Sequence, residues 1–517
     1  MGQQGLQFSD VMYLAPELTL VIAAIVLTII DMFLPKRVGR DLLGWLTFGS
    51  LLLTMILVMM QLGLGFDFSS FSFVQSQQEP IQLLSLSYRI DAFAGLLKLL
   101  FLGGTALIVF MSLGSVKEDD IPHVGEYYYF FLPAVLGAMV MASSGDLITL
   151  FIGLELLSIT SYIMVGMRKN HKFSNEAAFK YIVQGGIASA IILYGMSFLY
   201  GMSGSTNITE INASLIKNGA SFPALIYVAF FLLIAGFGFK IAAAPFHTWA
   251  ADVYQGASTP VTTFLAVVSK GAGVAILFRL IYGIFLGVKP SEELPITEDV
   301  FFTLSVLAAI TMIVGNLLAL KQSNAKRLLA YSGVANAGYL LVPIATQFGL
   351  VHYSNFNEFF YYLFAYTFMN IGAFAVLMIL ENSTGSDKVN GFAGFYYRAP
   401  WTAAAMALLI LSLAGIPVTG GFFGKLFILM GAMETQKYWL AAIMIGTSVI
   451  SFYYYFGIIR QMFMRSDIDS KVIKVTVPLG ITVWLCVAVT VIIGFFPQLV
   501  LGYIQNVFRL SKDLFMG

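Results

Sequence analysis

Four lysines and one glutamate lie inside long apolar stretches of this chain, namely Lys180, Lys240, Lys270, Lys425 and Glu155. A charged side chain at the centre of a lipid bilayer costs at least about 2.5–3.5 kcal/mol on insertion scales, so such a charge usually has a function. An amine also loses its proton more readily once it is removed from water. A row of buried lysines therefore has the chemistry of a proton-transfer path through a membrane.

Glu155 begins this row. It lies roughly 12 Å into its apolar stretch at about 1.5 Å per residue. An isolated carboxylate at that depth is costly, so we expect it to be neutral or paired with a cation, and Lys240 is the first candidate. Contact with Glu155 would hold the proton on Lys240, and separation would release it. Lys270, about 17 Å into its own stretch, is placed to receive the proton, and Lys425 to pass it to the far side.

Each of these charges also has a structural interpretation. For Lys98 and Arg279, which lie in other apolar stretches, we expect structural pairing or an extended side chain that reaches the interface. Lys180 follows Glu176 by four positions and can pair with it along a helix. His247 can bind backbone carbonyl groups instead of carrying protons. A purely structural role is least expected for Lys240, Lys270 and Lys425, which lie deepest in their apolar stretches.

Helix breakers interrupt two of the apolar stretches, and each interruption has a lysine beside it. The first lies within 236–247, beside Lys240, and the second within 415–425, beside Lys425. Both contain a proline, which removes a backbone hydrogen-bond donor. The freed carbonyl groups must be satisfied inside the protein or by water. Each interruption therefore predicts a polar pocket within the bilayer.

Composition limits the class of protein. The chain has 517 residues, of which 59% are hydrophobic and 11% charged, with a formal net charge of +1. These values indicate a polytopic membrane protein and give no sign of nucleic-acid binding. One cysteine, Cys486, and four scattered histidines make a metal or redox centre held by this chain alone improbable on chemical grounds. The N-terminal residues lack the features of a cleavable signal peptide, so we expect an uncleaved first span.

About fourteen segments have the length and apolarity of a membrane span. They lie near 14–34, 42–64, 90–113, 127–143, 147–167, 177–201, 222–246, 259–287, 300–320, 328–347, 358–381, 401–432, 438–464 and 475–506. Lysine and arginine concentrate in alternate loops, as the positive-inside rule requires if the N-terminus is outside.

The two interrupted spans are the seventh and the twelfth in this order. Paired discontinuous helices are typical of inverted repeats in transport proteins. We therefore predict an all-α polytopic membrane protein with two inverted five-helix repeats, each with a discontinuous helix. The predicted segments are an N-terminal three-helix segment (1–126), a first repeat (127–287, spans 4–8), a second repeat (300–464, spans 9–13) and a C-terminal span (465–517).

Two motifs carry a family resemblance. The segment 240–270 begins Lys-Ile-Ala-Ala-Ala-Pro-Phe-His-Thr-Trp and ends Ser-Lys, and the segment 326–339 begins Lys-Arg-Leu-Leu-Ala-Tyr-Ser. Both closely resemble the signatures of the antiporter-like membrane subunits of respiratory complex I, the proton-translocating NADH:quinone oxidoreductase. The resemblance extends over nearly the whole chain, including Glu155 in the fifth span.

Within this family the chain looks like the subunit N type. Its twelfth-span charge is Lys425, where the subunit M type carries a glutamate, and it lacks the long C-terminal lateral helix of the subunit L type. The resemblance implies that Glu155 and Lys240 are the coupling pair, with Lys180 as a neighbour. It implies that Lys270 is the central relay and Lys425 the exit group.

His247, beside the first interruption, is a further candidate for the proton relay. The tenth span departs from the family pattern. Many relatives have a histidine in the tenth span where this chain has Asn336. An asparagine cannot carry a proton, so we expect water near Asn336 to take that step.

The resemblance implies a proton-translocating membrane-arm subunit of NADH:quinone oxidoreductase, that is, a translocase subunit without redox chemistry of its own. It implies no cofactor or metal in this chain, and FMN and iron–sulfur clusters in the hydrophilic arm formed by partner subunits, where NADH and quinone react. Other membrane-arm subunits and the lipid bilayer are the expected partners. The expected location is a bacterial cell membrane.

Two other functions are compatible with parts of the sequence. A subunit of a Na⁺/H⁺ antiporter would have the same fold and no link to electron transfer, but the lysine at 425 favours the complex I interpretation. A scaffold that conducts nothing would gain no advantage from the buried lysines. The response of NADH oxidation and of the pH gradient to loss of Lys240 would separate the three functions.

Overall fold

The computed structural model describes most of the chain. The described residues are 8–35, 37–67, 72–75, 80–116, 118–289, 295–346, 355–465, 473–508 and 513. The remaining residues, including 509–512 and 514–517 of the predicted C-terminal segment, lie outside this description.

The described residues are predominantly helical. The helices are α1 (Phe8–Tyr13), α2 (Ala15–Phe33), α3 (Asp41–Gln61), α4 (Ala92–Ser112), α5 (Val124–Tyr129), α6 (Phe131–Ala142), α7 (Leu147–Val165), α8 (Lys172–Ser203), α9 (Ile208–Asn218), α10 (Pro223–Ile241), α11 (Ala250–Gly256), α12 (Thr259–Phe264), α13 (Lys270–Leu280), α14 (Ile296–Ala319), α15 (Ala325–Ala345), α16 (Asn355–Thr384), α17 (Phe395–Arg398), α18 (Pro400–Ala414), α19 (Gly420–Glu434), α20 (Tyr438–Met464), α21 (Val477–Phe495) and α22 (Gln498–Val507). Short 3₁₀ turns lie at Gly219–Ser221 and Val389–Phe392, and π-helical turns at Leu265–Ser269 and Ile281–Phe285.

Two antiparallel hairpins lie between α3 and α4. Strand β1 (Leu64–Asp67) pairs with β2 (Ser72–Gln75), and β3 (Ile81–Leu83) pairs with β4 (Tyr88–Ile90). The all-α prediction does not include these strands, because runs of three or four residues are too short to show a period of two.

The helix ends follow ordinary capping chemistry. Asp146 precedes α7 and its side chain accepts a hydrogen bond from the backbone N–H of Thr149. At the start of α15, the Asn324 side chain accepts a hydrogen bond from the backbone N–H of Arg327. Such caps satisfy backbone donors that the first helical turn leaves unpaired. At the other end of α8, Gly204 adopts the left-handed conformation that glycine permits.

The predicted membrane fold is confirmed. Among the described residues, 13 helices are long and apolar enough to cross a membrane. The predicted twelfth span is divided into two shorter helices, α18 and α19, with Pro417 between them. With this interrupted span the structure accounts for the predicted arrangement of about fourteen spans. The division into segments 1–126, 127–287, 300–464 and 465–517 stays a prediction.

Three spans form the centre of the molecule. The window of the span Thr259–Phe285 is 94% buried inside the protein, that of α15 is also 94% buried and that of α16 is 89% buried. The window of α2, at the periphery, is 22% buried. Lys270 belongs to one of the two most enclosed spans and is itself 2% exposed.

Glycines allow α14 and α15 to pack closely. A Cβ atom at Gly315 would lie 2.4 Å from the backbone nitrogen of Ala335. A Cβ atom at Gly338 would lie 2.8 Å from the backbone nitrogen of Met312. Small residues at such crossings let two backbones approach each other, as is usual between membrane helices.

The structural interpretation of Lys98 and Arg279 is confirmed. Lys98 Nζ lies 2.8 Å from a carboxylate oxygen of Glu17. Arg279 Nη2 lies 2.6 Å from Asp91 Oδ2, and all four side chains are almost fully buried. These pairs join α2 to α4 and the start of α4 to α13, so they stabilise the packing of the N-terminal helices.

Candidate functional site

Lys240 lies in the last turn of α10, where the helix is interrupted. The helix ends at Ile241, and the next residue, Ala242, has a left-handed backbone with φ 57°. The interruption therefore begins later than the glycines at 236 and 238 suggested, because both glycines lie within α10. A cation is favoured at this position, since the C-terminal end of a helix presents unpaired carbonyl groups.

Hydroxyl oxygens of α7 accept hydrogen bonds from the ammonium group of Lys240. The Lys240 Nζ atom lies 2.7 Å from Ser158 Oγ and 3.3 Å from Tyr162 Oη. Ser158 in turn donates to the carbonyl oxygen of Leu154 at 2.5 Å. The ammonium group of Lys240 is therefore held by neutral hydroxyl oxygens on the same helix as Glu155.

The structure brings Glu155 and Lys240 to the same place but does not join them directly. Among the described residues, no ion pair within 4.0 Å connects these two side chains. Glu155 Oε1 is buried and lacks a hydrogen-bond partner there. Ser158, one turn further along α7, takes the lysine bond. The coupling role of this pair stays a prediction.

Lys180 belongs to a surface ion-pair group that also contains Asp252 and Arg327. Its Nζ atom lies 2.6 Å from Glu176 Oε1 and 2.7 Å from Asp252 Oδ2. Asp252 also lies 2.5 Å from Arg327 Nη1. Burial acts against the charge of Asp252, but the hydrogen bonds from Lys180 and Arg327 outweigh it and lower the pKa of this carboxyl. Lys180 therefore ties α8 to α11, one helix away from Lys240.

Lys270 directly follows the π-helical turn Leu265–Ser269. Its Nζ atom is buried and has no hydrogen-bond partner among the described residues. The amine lies 5.9 Å from the ring centroid of Tyr254. A Cβ atom at Gly333 would be 2.7 Å from Nζ and 3.2 Å from Tyr366 Oη. Gly333 thus leaves space where the amine and a phenol hydroxyl converge.

A chain of polar side chains leads from Gly333 towards Lys425. Ser332 Oγ lies 2.5 Å from Tyr455 Oη. Asn336 donates to the Ser332 carbonyl oxygen at 2.9 Å, and Tyr362 donates to Asn336 Oδ1 at 2.5 Å. These groups are buried between α15, α16 and α20. Asn336 is therefore a buried member of this hydrogen-bond chain.

Lys425 occupies the second interruption. Its Nζ atom donates to the carbonyl oxygens of Leu413 at 2.8 Å and Ala414 at 3.1 Å, which are the last two residues of α18. It also lies 4.8 Å from the ring centroid of Tyr339. The interruption frees these carbonyl groups, and the lysine satisfies them. The sequence predicted this pocket from the proline and the adjacent lysine.

His247 is near the first interruption but has no described hydrogen bond to the lysines. Its Nδ1 atom is buried without a partner among the described residues, and its ring lies 6.2 Å from that of Tyr331. An imidazole can both accept and release a proton, so a relay role for His247 stays a prediction.

A polar cavity of about 860 Å³ opens at one end of the molecule, and the sequence interpretation did not identify it. A buried ion pair lies in its wall, with Lys326 Nζ 2.8 Å from Glu381 Oε1. Thr259, at the start of the span that carries Lys270, donates a hydrogen bond to Glu381. The charges come from loops and helix ends far apart in sequence, so only the fold brings them together.

Comparison with known proteins gives a consistent set of relatives. Residues 144–451 match the family described as "NADH:quinone oxidoreductase/Mrp antiporter, TM". The chain is 52% identical over 517 residues to NADH-quinone oxidoreductase subunit N of Paenibacillus sp. (strain JDR-2), covering 99% of both chains. It is 47% identical over 509 residues to subunit N of Brevibacillus brevis, covering 98% of this chain and 96% of the relative.

Two kinds of solved structure share the fold. A chain of respiratory complex I from Thermus thermophilus aligns with a TM-score of 0.76 and 28% identity, covering 94% of this chain and 98% of the other. A chain of the Mrp complex from Dietzia sp. aligns with a TM-score of 0.80 and 18% identity, covering 97% of each. The second likeness shows the fold alone.

Proposed function

The chain belongs to the NADH-quinone oxidoreductase subunit N family, and on that premise we propose that Glu155, Lys240, Lys270 and Lys425 conduct protons through it. As a subunit of a NADH-quinone oxidoreductase, it is part of a translocating enzyme. Electron transfer from NADH to quinone in other subunits drives proton movement along this path.

The observation that carries this proposal is the connected placement of the three deepest lysines. Lys240 and Lys425 each lie at a helix interruption and bind neutral oxygen atoms there. Lys270 lies in one of the two most buried spans, with its amine beside phenol groups. None of the three has a carboxylate within 4.0 Å among the described residues, so neutral oxygen atoms or aromatic rings face each amine instead of a counter-ion.

The first step is proton release from Lys240. Approach of the Glu155 carboxylate would stabilise the ammonium form, and withdrawal leaves the amine on the hydroxyl of Ser158. A hydroxyl oxygen accepts a hydrogen bond without neutralising the charge, so the ammonium form is less stable in this state. The released proton moves towards Lys270, in the adjacent span.

The second step joins Lys270 to Lys425. The hydroxyl groups of Tyr254 and Tyr366 near Lys270 are buried without described partners, so a water molecule there would find several polar neighbours. Beyond them, Ser332, Asn336 and Tyr362 supply hydrogen-bonded groups up to the helix that carries Lys425. Hydroxyl groups and water can pass a proton because each both donates and accepts, and water beside Asn336 takes the step that its amide cannot.

The polar cavity beside Glu381 supports proton uptake from one side. Its wall includes Thr259, Lys326 and Glu381. Thr259 and Lys270 are eleven positions apart along one span, about 16 Å at about 1.5 Å per residue. Because the basic residues of this cavity lie in loops assigned to the cytoplasmic side, uptake is from the cytoplasm and the N-terminus is outside.

The partners and location follow from the family. We propose that the chain lies in a bacterial plasma membrane, contacts other membrane-arm subunits of complex I and acts with a hydrophilic redox arm. FMN and iron–sulfur clusters belong to that arm in this proposal. The exposed isoleucines of α7, including Ile152 and Ile159 on either side of Glu155, supply an apolar face for lipid or a neighbouring subunit.

The test is the Lys240→Ala variant in membrane vesicles that contain the assembled complex. We expect loss of the NADH-driven pH gradient and at least a fivefold fall in quinone-linked NADH oxidation. The matched control is Lys217→Ala, which removes an exposed lysine of α9. Normal NADH oxidation with lost sodium–proton exchange would favour an antiporter, and normal pumping in an assembled complex would favour a scaffold.

A further inference from the structure

Glu358 is a buried carboxyl group outside the row of lysines. It lies in the first turn of α16 and is 4% exposed. Its Oε2 atom has no hydrogen-bond partner among the described residues. A buried carboxylate without a partner is costly, so its retention calls for a reason beyond packing.

A glycine of α19 makes room for this carboxyl group. A Cβ atom at Gly431 would lie 2.4 Å from Oε2 and 2.6 Å from Oε1 of Glu358. Both oxygens therefore rest against the backbone of the half-helix that carries Lys425. Any larger residue at 431 would displace the carboxyl group.

The contact between α16 and α19 also connects Glu358 to Lys425. Tyr362 follows Glu358 by one turn of α16, about 6 Å along the helix. Its ring covers Gly424, where a Cβ atom would lie 2.5 Å from Tyr362 Cδ2. Gly424 directly precedes Lys425, and Tyr362 is the last hydroxyl of the chain that begins beside Lys270. Glu358 is thus the next ionisable group beyond Lys425 on this face.

Two charged groups lie between Glu358 and the end of the span. Glu434, the last residue of α19, is half-buried and its carboxylate acts electrostatically on Glu358. Lys437 follows the helix and donates to Ser305 Oγ at 2.7 Å and to the carbonyl oxygen of Ala345 at 2.6 Å. Burial lowers the pKa of Lys437 to about 8. Towards this end of the span, the buried carboxyl group of Glu358 is therefore followed by the half-buried carboxyl group of Glu434.

We propose that Glu358 is the proton-release group of this subunit, an inference that rests on the proposed proton path. The proton leaves the ammonium group of Lys425 and passes through the Tyr362 hydroxyl or water to the Glu358 carboxylate, which becomes a neutral acid. The acid then gives the proton to water at the outer end near Glu434 and is a carboxylate again. No electron moves in either step.

The Glu358→Gln variant tests this role, because glutamine keeps the shape of the side chain but cannot take up a proton. In assembled complex I in membrane vesicles, we expect at least a fivefold fall in protons pumped per unit time, and recovery of at least half the activity in Glu358→Asp. The control is Glu298→Gln, which changes an exposed carboxylate at the same end of the molecule. Wild-type pumping by an assembled Glu358→Gln complex would overturn the proposal.

The Gly431→Ala variant provides a second test if Glu358→Gln does not assemble. The added methyl group must push the carboxyl group out of its place, so pumping should fall although every ionisable residue is retained. Normal pumping by assembled Gly431→Ala, or failure of both variants to assemble, would assign Glu358 a structural role. If Lys240→Ala and Lys270→Ala also pump normally, the proposed function itself is wrong. If those two are defective and Glu358→Gln is not, only the release role is wrong.

Discussion

The Lys425 Nζ atom lies 2.8 Å from the carbonyl oxygen of Leu413, so the lysine of one half-helix binds the unpaired end of the other. This contact explains why a lysine accompanies a helix interruption. The interruption supplies oxygen atoms that hold an ammonium group without a counter-charge. In the proposed function, an amine held in this way binds the carbonyl groups and also releases its proton.

The Lys425→Arg variant separates the binding of carbonyl groups from the release of a proton. Arginine can donate to the carbonyl groups of Leu413 and Ala414, but it cannot release a proton because its pKa is above about 12. We expect normal assembly and at least a tenfold loss of proton pumping, measured by quenching of a pH-sensitive dye in vesicles. Wild-type pumping by this variant would limit Lys425 to binding carbonyl groups.

Ser158→Ala should change how Lys240 exchanges its proton. A hydrogen bond to a charged group contributes about 1.5–3 kcal/mol. Its loss should shift the protonation equilibrium of Lys240 by about ten- to a hundredfold, at about 1.36 kcal/mol per tenfold change. We expect a several-fold fall in quinone-linked turnover. Ser197→Ala, in an exposed position of α8, is the control and should retain wild-type turnover. Equal turnover in both variants would contradict a role for Ser158.

Asp252→Asn should weaken the junction between α8, α11 and α15. Because the folded pKa of Asp252 is below its unfolded value, its ion pairs stabilise the protein above the unfolded pKa. This contribution is lost only as the pH falls through the lower, folded pKa. We therefore expect a lower melting temperature of the variant in nanodiscs, with a constant difference from about pH 8 to about pH 5 and a smaller one below about pH 4. A difference that disappears between pH 8 and pH 5 would contradict the assignment.

Lys98→Met tests the structural assignment of a buried ion pair. Removal of one partner leaves Glu17 buried and unpaired, which costs about 3–5 kcal/mol. We expect a lower yield of assembled complex, measured on native gels, with normal pumping per assembled complex. The double variant Lys98→Met/Glu17→Gln should recover much of the yield. Loss of pumping in fully assembled Lys98→Met would instead place Lys98 on a proton path.

The sequence allowed the prediction of features that depend on neighbouring residues. Apolar length predicted the spans, and a proline beside Lys425 predicted the pocket of carbonyl groups that binds it. These signals are local, because a proline acts on its own helix and a bilayer requires a minimum apolar length. The structural pairing of Lys98 and Arg279 also followed from the cost of an isolated buried charge.

Contacts between distant residues could not be predicted in the same way. Ser158 is a common residue in a membrane helix, and only the packing of α7 on α10 places its hydroxyl beside Lys240. Asp252 pairs with Lys180 and Arg327 because α11 folds back between two spans. Glu358 was overlooked because a carboxyl group near the end of a span usually lies at the interface, and its burial becomes evident only when Gly431 is seen against it.

The π-helical turn Leu265–Ser269 has a consequence for the orientation of Lys270. A π turn holds one residue more than an α turn, so it rotates everything that follows by about 100° relative to a regular helix. Deletion of one residue from this turn would therefore keep every ionisable group of the protein and yet point the amine of Lys270 away from Gly333. The number of residues in this turn therefore determines whether the proposed proton path is continuous. A chain shorter by one residue here would separate the part of the path before Lys270 from the part after it.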